Sequence, residues 1–225
     1  MTWKLIWHLG ILPISRLYLL NGVNSILQEV VDGGRVLCRR ERYEATSSRT
    51  DLIWEYDNGE TKKEFAIMEF KNTFVLHEHE FTDAMCSSEK AEEYLAEAFN
   101  AENKEKMLGE ESGSKGKKRA VKKAGIDECT LLTGNALTAS KQVAKYHKST
   151  KIEDIALFDW NALVIFDFSG AVETPANPRL VRAIWFEEKS KNHRQYQTFR
   201  SMTLGYLLRA LRRHGFVNPN IVPLE

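Results

Sequence analysis

Between Val23 and Asp32 the apolar residues fall at 23, 26, 27, 30 and 31, the spacing of one helical face. Asn21-Gly22 before the stretch and Gly33-Gly34 after it supply the stops. Three strand-like runs follow. Arg35 to Ala45 has a mixed, edge-like pattern, whereas Thr50 to Tyr56 and Glu64 to Lys71 are rich in β-branched and aromatic residues. An Asn-Gly pair in the Asp57–Glu60 connection predicts that the last two runs form an antiparallel hairpin. Thr82 to Leu108 reads as a long polar-faced helix, and Gly109 to Gly125 as a flexible basic loop. A second helix is expected over Ala136–Thr150, capped by Thr133 or Asn135. The apolar runs Asp154–Trp160 and Ala162–Phe168 predict another hairpin. A Pro-containing loop then leads to a last strand over Val181–Glu188. A terminal helix over Arg194–Gly215 carries its basic residues in the last turn, where they suit the helix dipole.

The order helix, three strands, helix, strands implies an α/β protein with a mixed central sheet flanked by helices. We expect one domain over residues 23–225, with a helical and basic-loop insertion at 82–125. An apolar segment over residues 1–22 precedes it. That segment is too short for a membrane span and is interrupted by His8, Pro13 and Arg16. No small-x-small cleavage site follows it, so it is expected to pack on the domain, with no stable membrane insertion.

A length of 225 residues suits one domain with a substantial core. Cys38, Cys86 and Cys129 are far apart with no CxxC pair, which argues for a reducing compartment and against a thiolate zinc site. The expected location is therefore intracellular, cytoplasmic or nuclear. A net charge of +1 excludes a globally basic nucleic-acid binder, so local patches must carry any such role. The run Lys115–Lys123 is such a patch. It suits a solvated loop, a nuclear localisation signal, or an arm in which Lys117, Lys118 and Arg119 contact phosphates.

The hairpin concentrates chemistry. Strand alternation puts Glu69 and Lys71 on one face. Pairing about Asn58-Gly59 brings residues whose numbers total about 118 opposite one another, which sets both within a couple of residues of the strand entry around Arg49 and Asp51. Two carboxylates can hold Mg2+ or Mn2+ through oxygen, and a lysine beside them can orient water or balance developing negative charge. A salt-bridged surface cluster is the plainer alternative. The position of Glu69 inside the apolar run Ile67–Lys71 weighs against it.

Asp51, a hairpin, and then Glu69-Phe70-Lys71 resemble the D…(D/E)-x-K signature of the PD-(D/E)XK nuclease superfamily, with Thr50 where a proline is usual. Gln142 and Tyr146 on the second helix resemble the Q-x-x-x-Y motif of RecB-like exonucleases. Residues four apart share a helical face, although an ordinary amphipathic helix would show the same spacing. The resemblance implies a restriction-endonuclease-like fold and a Mg2+- or Mn2+-dependent nuclease acting on nucleic acid, DNA by expectation. In it Asp51 and Glu69 hold metal and Lys71 positions water. Gln142 and Tyr146 line the substrate groove, and Glu29 on the first helix completes the metal site, with Asp32 as its substitute. Glu29 equally suits a surface glutamate. An inactive nuclease-fold module that binds nucleic acid or protein, within an effector-type or multidomain system, is the alternative. His77-Glu78-His79-Glu80 is read as a solvated loop, and Trp54, Trp160 and Trp185 as core.

Overall fold

In the computed structural model the described residues are 16–43, 49–84, 131–170, 181–188 and 197–218, with isolated positions between 90 and 100. The chain divides into two compact units, one of residues 1–76, 141–169 and 182–225, the other of 77–140 and 170–181.

A six-stranded sheet dominates the first unit, its strands β1 (Arg35–Tyr43), β2 (Arg49–Asp57), β3 (Lys62–Phe70), β4 (Asp154–Phe158), β5 (Leu163–Asp167) and β6 (Arg182–Phe186) lying in sequence order. β3 and β4 are parallel, and every other neighbouring pair is antiparallel. The sheet is therefore mixed, as the element order implied. Helices α1 (Asn21–Val30), α2 (Gly134–Thr150) and α3 (Phe199–Arg213) complete the main elements.

Both expected hairpins form. At the turn of the first, Asn58 Oδ1 accepts from Thr61 N at 2.7 Å, and Gly59 takes φ 87°, a conformation glycine adopts without strain. The register differs from the turn-based count by two residues: Leu52 pairs with Met68 rather than with Ala66. The connection is four residues long, and a bulge opposite Trp54 and Glu55 adds one more position, Phe65, to β3. One residue beyond Leu52 and Met68, Asp51 comes level with Glu69 itself.

One sheet face carries Leu52, Trp54, Ala66, Met68, Ala156, Phe158, Leu163 and Ile165, packed with Val23 and Leu27 of α1 and Tyr206, Leu207 and Leu211 of α3. Each fully buried aliphatic or aromatic side chain here contributes about 1.5–3 kcal/mol. Trp54 Nε1 donates to Asn24 Oδ1 at 3.0 Å, which ties β2 to α1. At the parallel seam the Tyr206 hydroxyl lies 2.6 Å from Ile67 O and 2.9 Å from Asp154 O. The opposite face carries the buried residues Ile53, Ile67, Ile155, Leu157 and Val164. The α2 residues from 141 onward, with Val143 and Tyr146 buried, belong to this side, where His147 stacks on Phe168 at 4.3 Å.

Of the expected tryptophan core, Trp54 is fully buried, and Trp160 and Trp185 are partly buried. The terminal helix starts at Phe199 behind a capping box between Thr198 and Ser201. In the second unit, a distant carboxylate serves the start of α2, where the sequence points to Thr133 or Asn135. The Glu80 carboxylate accepts from Ala136 N at 3.0 Å. His77–Glu80 is thus not an idle loop, because a charged acceptor at a helix start satisfies groups left open by the helix. The basic loop, with Lys117, Lys118 and Arg119, lies outside the described residues, as do residues 1–15 and most of the expected helix over 82–108. Among the described residues no helix is long and apolar enough to cross a membrane.

Candidate active site

Glu69 is the penultimate residue of β3 and is only 8% exposed. An uncompensated carboxylate there would be costly, and each of its oxygens has donors. Oε1 accepts from Lys71 Nζ at 3.2 Å and from Gln142 Nε2 at 2.9 Å. Oε2 accepts from the Tyr146 hydroxyl at 3.0 Å. The fourth member links the rest: Gln142 Oε1 accepts from Lys71 Nζ at 2.5 Å, and Gln142 Nε2 also donates to the Tyr146 oxygen. Only one orientation of the Gln142 amide satisfies this pattern, since a flip would set its NH2 against the lysine ammonium.

Asp51 borders the cluster. Its Oδ2 accepts from Phe70 N at 2.8 Å, which fixes the carboxylate beside the strand that carries Glu69. Burial, and then the negative charge of Glu69, push the Tyr146 phenol well above its ordinary value. Tyr146 therefore stays protonated and acts as a hydrogen-bond donor at neutral pH.

The structure brings together Glu69, Lys71, Gln142 and Tyr146, with Asp51 alongside. Glu29 is placed differently. It is exposed on α1, the helix packed against the other sheet face, and takes part in none of these hydrogen bonds. Among the described residues no three His, Cys, Asp or Glu side chains converge as a metal-ligand group. Asp32 is also exposed, beyond the end of α1. A cleft of about 520 Å3, lined by Gly33, Gly34, Arg35, Asp57, Asn58, Gly59 and Lys62, opens at the turn end of the first hairpin, away from this cluster.

Sequence reasoning missed Asp159, which is fully buried at the β4–β5 turn. Its Oδ1 accepts from Asn161 N at 2.9 Å and Ala162 N at 2.8 Å, and its Oδ2 from Val75 N at 3.0 Å and Leu76 N at 2.8 Å. It thereby holds the segment that follows Lys71. The Asp-Trp-Asn sequence signals the local turn, but nothing in it signals the distant pair of donors.

Comparison with known protein families, curated proteins and solved structures found no match.

Proposed function

We propose that this chain is a metal-dependent nuclease of the PD-(D/E)XK type, with a restriction-endonuclease-like arrangement of its sheet and helices. The observation that carries the reading is the meeting of two motifs on one carboxylate. Glu69-x-Lys71 from β3 and Gln142-x-x-x-Tyr146 from α2 share a single hydrogen-bonded cluster at Glu69.

The donor chemistry fits a hard divalent cation such as Mg2+ or Mn2+. Asp51 and Glu69 offer carboxylate oxygens from the neighbouring strands β2 and β3, and oxygen donors suit a hard cation. When bound, such a cation supplies water activation at neutral pH and neutralises charge on the scissile phosphate. The Lys71 ammonium, directed by Glu69 and Gln142, is placed to donate to a phosphoryl oxygen and balance its growing charge. Gln142 fixes the lysine, and Tyr146 holds Glu69 in place. Nucleic acid, with DNA as the first substrate to examine, is the matching polyanion.

A second reading is favoured by one specific observation. Both oxygens of Glu69 are already engaged, and no third ligand converges with Asp51 and Glu69 among the described residues. That pattern suits an inactive nuclease-fold module that binds nucleic acid or protein. Plasmid cleavage with Mg2+ by wild type, Glu69→Ala and Lys71→Ala decides between the two. The nuclease reading expects both variants to lose at least about a hundredfold in rate. Equal cleavage in all three removes the catalytic assignment. Calorimetric Mn2+ binding that disappears in Asp51→Ala supports the metal site independently of turnover.

A further inference from the structure

Immediately after Lys71 the chain enters a loop with two costly features at one residue. Phe74 takes φ 62°, in the left-handed region that bulky side chains rarely adopt. Its side chain is also turned to solvent, with the residue 67% exposed. Neither feature helps a core, and strain of this kind persists only where the surroundings enforce it. The enforcing contacts flank the residue on both sides. Lys71 N donates to Phe158 O at 2.8 Å before it, and the buried Asp159 carboxylate takes Val75 N and Leu76 N after it. The ring is thus held on a rigid mount.

Its position gives the mount a purpose. Three residues of chain span at most about 11 Å, so the Phe74 Cα lies within that distance of the Lys71 Cα. A stacked strand advances about 3.4 Å per nucleotide and an unstacked one further, so the ring lies within about three steps or fewer of a phosphate seated at the lysine. An exposed aromatic face at that range offers a stacking surface to a base, provided the base is not already paired and stacked in a duplex.

Resting on the nuclease reading, we propose that Phe74 stacks on an unpaired base beside the cleavage point and makes single-stranded nucleic acid the preferred substrate. The ring binds and orients the strand, while the chemistry stays with the Glu69 cluster.

The test uses the full chain in Ca2+, with a fluorescent single-stranded oligonucleotide and its duplex followed by anisotropy. Wild type is expected to bind the single strand more tightly. Phe74→Ala should weaken that binding about tenfold and leave duplex binding nearly unchanged, and Phe74→Trp should retain it. An unaltered melting temperature for Phe74→Ala shows that the loss is one of binding, since an exposed ring supports no core. Phe74→Ala binding the single strand as wild type does overturns the stacking role while leaving the nuclease reading intact. Wild type binding neither oligonucleotide overturns both.

Discussion

Tyr146 donates its hydroxyl hydrogen to the Glu69 carboxylate at 3.0 Å, across a separation of 77 residues. The bond joins the helix to the strand at the point where the candidate chemistry is concentrated, and it is the most direct handle on the site's integrity. A hydrogen bond to a charged group is worth about 1.5–3 kcal/mol, so Tyr146→Phe should lower stability by about that much at neutral pH. The pH dependence has a definite sign. Burial, followed by Glu69, raises the Tyr146 phenol above 10.0, so its contribution is complete below that pH and fades as pH climbs past it. Melting curves at about pH 7 and pH 11 should show the gap between wild type and variant narrowing on the alkaline side. A gap that widens there would contradict the assignment.

Asp159→Ala removes a fully buried acceptor shared by four backbone N–H groups. Each buried donor left unsatisfied costs about 1–3 kcal/mol, partly relieved by relaxation, so a loss of about 3–5 kcal/mol is expected. Urea denaturation measures it. A change within about 0.5 kcal/mol, typical of surface substitutions, would mean that the carboxylate does not organise the loop.

Arg213 pairs with Asp154 at 2.5 Å and Asp167 at 3.0 Å, while Arg209 reaches Asp154 at 2.7 Å. Asp154 is fully buried, and that burial lifts its carboxyl above the ordinary 3.8 despite both arginines. Arg213→Met should cost about 3–5 kcal/mol at neutral pH by leaving buried charge under-compensated. Because burial raises its carboxyl, Asp154 takes up a proton and loses that charge as pH falls, so the deficit should shrink on acidification. Thermal melts of both proteins at neutral and acidic pH give the comparison. A deficit that grows on acidification would place the cost elsewhere.

Phe74→Gly should raise stability by about 1 kcal/mol, because glycine adopts a positive φ without the side-chain clash. The same variant should bind single strands less well. Calorimetric melting beside anisotropy tests the opposed signs, and a loss of both stability and binding would point to a structural role for the ring.

Much of the architecture was legible because local periodicity matches it. The apolar stripe from Val23 became α1, and the Asn58-Gly59 pair marked a real turn. The register was harder, because the bulge at Trp54/Glu55 leaves no trace in a count of residues from the turn. The pairing of Glu69 with Lys71 could be read from strand alternation, and the shared face of Gln142 and Tyr146 from helical spacing. Their convergence on one carboxylate depends on how α2 packs, which is tertiary information. The Glu80 cap and the Asp159 anchor were missed for the same reason: each satisfies backbone groups far away in sequence.

The parallel β3–β4 seam separates the two halves of the candidate site by a long excursion of chain. The entropy of closing such an excursion grows only with the logarithm of its length, so doubling or halving it changes stability by about 0.6 kcal/mol. Variation in the length of that excursion therefore falls mainly on the speed of assembly, through long-range closure, and leaves the finished geometry thermodynamically sheltered.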